Sequence, residues 1–312
     1  MAIAARLVVD PPVFTPSPYG LLAASDMRTD DVHWQMGVTW EDICGGTGVI
    51  LDPCVTSAPG VTGIATKAAT TSRTFWGATP FTVYVEVDCS PVDFYDNREQ
   101  TMLQALQRFE SFQVERTFWT GIAPEKNSVG GTPNGVFPHL ASNAVVTEGA
   151  TVNLGPAVTL QQAATVPTGT ALNVVDALGA LEQQLARCLN GTGVIHVPQS
   201  LAPTLALLLQ KQGNTLLTPN GNRVAIGAGY PGTAPDGSAP LAATVWMYAT
   251  GPVFGYRSAP EMRLMDGPAG FNRSTNTLKA IIERNYLMGY GCCLAAQLVN
   301  TASFIATSAT TP

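Results

Sequence analysis

Charge is what this 312-residue chain has least of. Asp, Glu, Lys and Arg together make up 12% of it, against about 25% in an ordinary soluble domain. Only four lysines are present, Lys67, Lys126, Lys211 and Lys279. A monomer of this size usually covers its surface with charge; here Ala, Thr, Gly and Pro take much of that place. Two readings fit. Either a large share of the surface meets further copies of the chain, because interface cores are depleted in charge, or this is a secreted, Thr/Ala-rich domain from a high-GC organism. Basic runs are also missing and the formal net charge is -6, which argues against a nucleic-acid reader with a basic face. No stretch reaches the roughly 18 apolar residues of a membrane span. In "MAIAARLVVDPP", Arg6 and Asp10 interrupt the apolar region that a signal peptide needs. The expectation is a protein made and used in a cytoplasm.

Catalytic signatures are equally scarce. The chain has no G-x-S-x-G, H-E-x-x-H or P-loop pattern. Its three histidines are His33, His139 and His196. His196 stands in "VIHVP" among apolar residues and reads as a satisfied core histidine rather than a base. Asp30, Asp31 and His33 read as a polar turn rather than a metal site. The six cysteines, at 44, 54, 89, 188, 292 and 293, lack the C-x-x-C spacing of zinc and redox sites. Cys44 and Cys54 bracket a loop short enough to close, but in a reducing compartment buried free thiols are the expectation. "GAGYPG" (Gly227, Gly229, Gly232) matches the dinucleotide fingerprint by accident. Pro231, Pro235 and Pro240 forbid the helix that should hold the pyrophosphate, and the acidic residue for the ribose is missing. The expectation is a non-enzyme with no cofactor, no metal and no catalytic residue.

Along the chain, "DPPVFTPSPYG" has four prolines and no periodicity, so residues 1–32 read as an extended arm. "HWQMGVTWEDI" alternates and "FTVYVEVDC" is β-branched and alternating, so both read as strands. The Thr/Ala/Gly run between them has no apolar set of its own and reads as a two-stranded excursion that needs a partner surface. A long helix follows over 97–120, capped by Asp96 or Asn97 and ended by Gly121. Residues 172–191 predict a second helix, with Val174, Leu178, Leu181, Leu185 and Leu189 on one face and Asn190-Gly191 at its end. "GVIHVPQS" reads as a buried strand, "LAPTLALLLQKQG" as a short helix, "NRVAIG" and "ATVWMYATGPVFGYRSA" as strands. "NTLKAIIERNYLMGYGCCLAAQLV" leans to β structure. The class is α+β.

The long helix poses a puzzle. Met102, Ala105, Phe109, Phe112 and Trp119 make one apolar stripe, and Leu103, Val114 and Phe118 make a second. A surface helix of a monomer needs one. Glu110 and Glu115, with Arg108 and Arg116, are its charges, suited either to pairs within the chain or to pairs that fix the register between subunits.

Five phrases carry a resemblance: "HWQMGVTWEDICGGTGVILDPC" (33–54), "TPFTVYVEVDCSP" (79–91), "FESFQVERTFWTG" (109–121), "GAGYPGTAPDGSAPLAATVWMYATGPV" (227–253) and "IIERNYLMGYGCC" (281–293). With the order of arm, β excursion, long helix and mixed domain, the chain resembles the major capsid proteins of tailed bacteriophages, of the type infecting actinobacteria. That fold is shared with encapsulin shells, and the resemblance spans roughly residues 20–300. In the closing phrase Gly291 stands where an acidic residue would precede the cysteines, and no charged scaffolding extension is present. The resemblance implies an N-terminal arm (1–32), an extended β-hairpin loop with leading strands (33–90), and a peripheral domain with spine helix 97–120 plus part of the axial domain (91–189). It further implies a mainly axial region (190–255) and closing strands with a tail (256–312).

The implied function is a structural shell protein. It would self-assemble as pentamers and hexamers around double-stranded DNA, packaged without sequence specificity. Its partners would be itself, a portal, and scaffolding or decoration proteins, with no membrane. It would reside in the virion capsid after assembly in the host cytoplasm. The second stripe, the low charge and the coreless arm and hairpin would then all face neighbouring subunits. Lys67, Arg73, Trp76, Glu110, Glu115, Arg116, Trp119, Tyr230 and Asp236 are the expected subunit-interface residues. The alternatives are an encapsulin-like compartment with protein cargo, a tail or connector protein and, in another class, a Cys/His hydrolase.

Overall fold

The computed structural model describes residues 14–15, 17–28, 32–44, 72–89, 98–121, 138–148, 158–264, 271–272 and 277–302. The first half carries α1 (Leu21–Ala24), β1 (Asp26–Arg28), β2 (Val38–Cys44), β3 (Ser72–Ala78), β4 (Phe81–Cys89), α2 (Arg98–Thr120), β5 (Val146–Glu148) and β6 (Val158–Gln161). Next come α3 (Val174–Leu189), β7 (Val194–Pro198), α4 (Ala202–Leu205), β8 (Gln210–Gln212), β9 (Thr215–Leu217), β10 (Arg223–Gly227) and β11 (Thr244–Thr250). β12 (Val253–Arg257), β13 (Glu261–Leu264), β14 (Phe271–Asn272), β15 (Thr277–Tyr290) and β16 (Leu294–Asn300) complete it.

The strands form three sheets. β15 is the spine of the first: β4 lies antiparallel along one edge, while β12, β13 and β14 succeed one another along the other. β1 adds a parallel edge beside β12. The second sheet runs β16-β11-β7-β10-β9-β8, and the third β2-β3-β6-β5. In the third, β2 and β3 pair antiparallel from Val38↔Ala78 to Cys44↔Ser72, the base of the expected two-stranded excursion. Residues 45–71 lie outside the described residues.

α3 follows from local chemistry. Asn173 caps it by accepting from the Asp176 amide at 2.9 Å, and Asn190 closes it in the left-handed conformation. Val174, Ala177, Leu178, Leu181 and Leu185 are buried, against β16 and β11 of the second sheet. β7 is buried at every position, as befits a central strand covered on both faces. The expected short helix after it is reduced to α4, preceded by a tight turn over Gln199–Leu201.

α2 answers its own puzzle differently from the expectation. Its buried face runs Met102, Leu106, Glu110, Val114 and Phe118, with Trp119 beside it. That is one stripe at four-residue spacing, with a carboxylate in its middle, so apolar periodicity alone split it in two. The face packs on β4 and β15. At its end, Phe118 meets Tyr290 edge-on at 6.0 Å and His196 at 5.5 Å. Trp119 meets Tyr248 at 4.7 Å and Tyr230 at 4.9 Å, and its indole N–H donates to Thr233 Oγ1 at 3.0 Å. The helix end therefore wedges between the first and second sheets. Full burial of two such aromatics stabilises by roughly 2–3 kcal/mol each. The second stripe is thus used within the chain, and it is Phe109 (53% exposed) and Phe112 (39%) of the first stripe that face outward. Gly121, at φ +71°, ends the helix as expected.

Candidate functional site

The expected interface residues separate by burial. Trp119 is fully buried, Glu115 is 3% exposed, and Trp76 and Tyr230 are 5% exposed. Trp76 sits in β3 opposite Trp40 of β2. Glu110 is also buried, and its partners belong to the same chain. Each of these five side chains is enclosed by its own fold. Arg116 and Asp236 are exposed. Lys67 and the Arg73 side chain lie outside the described residues.

Glu110 pairs within the chain. Its Oε2 accepts from Arg284 Nη1 at 2.7 Å and from the Tyr286 hydroxyl at 2.6 Å, both on β15. The pair is largely withdrawn from water, where a charge-assisted bond is strong and a missing partner is expensive. Burial pushes the Tyr286 hydroxyl well above its ordinary range, and the Glu110 charge adds to it.

Glu115 is different. Its Oε1 accepts from the Leu21 amide at 3.2 Å and its Oε2 from the Gly229 amide at 3.0 Å. Burial pushes its carboxyl up to about 7, although the backbone amides around it act in the opposite direction. Two glycines make the approach possible. A Cβ on Gly20 would lie 2.5 Å from Glu115 Oε1, and a Cβ on Gly229 would lie 2.2 Å from the Phe112 carbonyl oxygen. The fingerprint-like glycine is therefore there for close packing on α2, and its amide serves a carboxylate of the protein.

Behind this junction runs a buried polar chain. Thr250 donates its hydroxyl hydrogen to the Gly251 carbonyl at 2.9 Å, so it must accept from His196 Nε2–H, 2.9 Å away. His196 Nδ1 then accepts from the Tyr230 hydroxyl at 3.1 Å. Burial drives the imidazole down to about 3 and the Tyr230 hydroxyl well up. With His196 fully enclosed and both nitrogens satisfied, the arrangement fits the reading of a core histidine.

A polar clasp that the sequence did not announce holds α3 to the turn before β10. Glu182 accepts from the Thr218 hydroxyl, from Asn220 Nδ2 at 2.8 Å and from Asn222 Nδ2 at 2.9 Å. It lines an open groove of about 500 Å³ with Gln183, Thr192 and Asn220. Its carboxylate is already spent on these donors. Among the described residues no group of three or more His, Cys, Asp or Glu is placed to hold a metal ion. Asp30 and Asp31 lie outside them.

The thiols depart from expectation. Cys188, at the end of α3, is joined by a disulfide to Cys293 in the turn between β15 and β16, with Cα atoms 6.1 Å apart. The expectation of free thiols rested on a reducing compartment, and a sequence separation of 105 residues gives no local sign of this proximity. Cys44 and Cys54 are not both among the described residues.

No family model and no curated protein matches the sequence. Solved structures do. A chain from the "Capsid of empty GTA particle computed with C5 symmetry" matches with a TM-score of 0.53 and 11% identity, over 96% of each chain. One from Mycobacterium phage Ogopogo matches at 0.52 and 14% identity, over 95% of this chain and 97% of that one. One from Mycobacterium phage Bobi matches at 0.50 and 10% identity, over 95% of each. Sequence identity this low speaks to the fold, and the matches run end to end with no large unmatched domain on either side. The chain therefore has the α+β fold of the tailed-phage major capsid proteins that its sequence resembles.

Proposed function

We propose that this chain is a non-enzymatic shell subunit, which assembles as pentamers and hexamers into an icosahedral capsid around double-stranded DNA. The observation that carries the reading is the match, over 96% of both chains, to a chain from the "Capsid of empty GTA particle computed with C5 symmetry". Low charge suits a subunit with neighbours on several sides. So does the outward aromatic face of α2, where Phe109 and Phe112 stand exposed and Phe14 lies 6.0 Å from the Arg108 guanidinium. A net charge of -6 suits a container that must not grip packaged phosphates.

In this reading residues 1–32 are the arm, 33–90 the extended loop with its leading strands, and α2 the spine helix of a peripheral domain. Residues 190–255 are mainly axial and 256–312 close the peripheral domain. The segment bearing Lys67 and Arg73 overlies an adjacent subunit, with Arg116 and Asp236 as further contact residues. Portal, scaffolding and decoration proteins are the partners, and the host cytoplasm is where the virion capsid assembles.

Negative-stain microscopy of the chain expressed alone and in particles from its native source tests this. Shells or five- and six-membered rings are expected, with DNA inside the native particles. Native particles that hold protein cargo and no DNA would instead indicate a nanocompartment. Absence of the chain from any particle overturns the reading.

A further inference from the structure

At the Glu115 junction three separate pieces of chain meet. These are α2, the segment 19–25 that leads through α1, and the loop 228–232 after β10. The segment is stitched down at several points. The Ile226 amide donates to the Tyr19 carbonyl at 2.8 Å, and Arg223 Nη1 donates to the Ala24 carbonyl at 3.2 Å. Leu21 and Ala24 are buried in the core that α2 shares with the sheets. The only side chain of α2 that hydrogen-bonds the segment's backbone, among the described residues, is Glu115.

Two other hydrogen-bonded carboxylates, buried Glu110 and half-buried Glu182, have different company. Glu110 has Arg284, and Glu182 has a hydroxyl and two side-chain amides with an open groove beside it. Glu115 meets only backbone amides among the described residues. The ionisable groups on the elements around it are Tyr19 and, further along, Asp26 paired with Arg28 on the segment; Arg223 on β10; Tyr230 on the loop; and Glu110 and Arg116 on α2. None of the cations bonds it: Arg223 is held by Ala24, Arg28 by Asp26, and Arg116 is exposed. Tyr230 is neutral and feels the Glu115 charge as repulsion against its own ionisation.

We propose that the proton on Glu115 is a switch for this seam: with it, segment 19–25 is clasped onto α2, and without it the segment loosens and uncovers Leu21 and Ala24. The physical cause is that an ionised carboxylate here is a buried charge with no counter-charge, and rehydrating it means lifting a covering piece that is neither a sheet strand nor the long helix. Of the two, loop 228–232 is pinned by the buried Tyr230, packed near Trp119 and bonded to His196, which leaves segment 19–25 as the piece that lifts. Burial holds the carboxyl near 7 against an ordinary 4.5. The sign follows from that direction. Below 4.5 the group is neutral in clasped and open forms alike, and the clasp is at full strength. As pH rises through 7 the open form has already released its proton, so the clasp weakens, and above 7 it weakens no further. The whole change amounts to roughly two orders of magnitude in the opening equilibrium.

Hydrogen exchange on the full chain tests this. Protection factors of the Ala24 and Ser25 amides, which bond Gly20 and Leu21 carbonyls, should fall about 100-fold between pH 5 and pH 8. The amides of Ile195 and Val197 in β7 should hold theirs, which separates local release from global unfolding. In Glu115→Gln, whose side chain cannot ionise, the profile of Ala24 and Ser25 should be flat. A flat profile in the wild-type chain, or an equal fall in the variant, overturns the proposal. Should the variant fail to fold, a carbon-13 titration of the wild-type Glu115 carboxyl decides. A midpoint near 7 supports the switch, and one in the ordinary range of about 4–5 refutes it.

Discussion

Replacing Gly229 by alanine is a one-carbon change whose cost can be worked from the packing. The new Cβ would sit 2.2 Å from the Phe112 carbonyl oxygen and 2.9 Å from both the Arg116 amide nitrogen and Glu115 Cβ. Two of these neighbours are helix backbone, so no rotamer change relieves the overlap. Either α2 and the loop strain against each other, at about 1–3 kcal/mol, or the loop lifts by about an ångström. Lifting breaks the bond from the Gly229 amide to Glu115 and leaves a buried donor unpaired, at about 1–3 kcal/mol. The expected loss is about 1–3 kcal/mol on either route. Gly179 supplies the control within the same chain. It lies in α3 with nothing within 4 Å of its would-be Cβ, so Gly179→Ala should stabilise by about 0.5–1 kcal/mol through helix propensity and unfolded-state entropy. Urea unfolding of the unassembled chain, followed by far-UV circular dichroism, measures both. The midpoints should move in opposite directions with unchanged slopes. A Gly229→Ala chain within about 0.5 kcal/mol of wild type would show that the close approach at α2 is not a constraint on the sequence.

Removing one member of the Glu110–Arg284 pair should be costly. Glu110→Ala leaves a guanidinium that is only 12% exposed and is expected to lose about 3–5 kcal/mol, with a large part of that recovered in a Glu110→Ala/Arg284→Met double variant; additive losses in the cycle would refute the coupling. The pH response of stability should be a contest between two buried groups. His196, held down to about 3 from 6.5, supplies stability that is present above 6.5 and lost as pH falls toward 3. Glu115, held up to about 7 from 4.5, supplies stability that is present below 4.5 and lost as pH rises toward 7. Between 4.5 and 6.5 they oppose each other, so Glu115→Gln should lose stability on acidification more steeply than wild type does, read from urea midpoints at pH 5 and 6.5. The Cys188–Cys293 bond closes a loop of 105 residues, and its loss should cost about 4–5 kcal/mol in the chain-entropy account. Non-reducing peptide mass spectrometry should find the Cys188 peptide linked to the one holding Cys293, and an unlinked Cys188 peptide would contradict the assignment.

Much of the fold was legible because its signals are local. α3 could be read from start to finish, since cap, apolar period and terminating Asn190-Gly191 all lie within its own stretch. The same holds for the end of α2 at Gly121 and for the strands β4, β7 and β11, whose β-branched or apolar runs need no distant information. Where reading failed, a polar residue was doing a buried task. Glu110 sits in the apolar face of α2 because Arg284 and Tyr286, far along the chain, neutralise it, and without that knowledge one stripe looked like two. Nothing local in the sequence shows that Trp119 and Tyr230 close on each other at 4.9 Å inside the wedge of α2.

By itself the sequence determined the class of the chain. Its α+β order, its lack of catalytic and metal-binding patterns, its scarcity of charge and its resemblance to tailed-phage major capsid proteins all follow from composition, period and phrase. Tertiary structure alone decided the pairings: Glu115 with Leu21 and Gly229, His196 with Tyr230 and Thr250, Glu182 with its three donors, and Cys188 with Cys293. The reason is physical. Hydrophobic period and turn chemistry act between residues three or four apart, and the one-dimensional order of residues records them. A buried polar group is made tolerable only by a partner at contact distance, and in this chain that partner stands 34 to 176 residues away for the bonds of His196, Glu115 and Glu110.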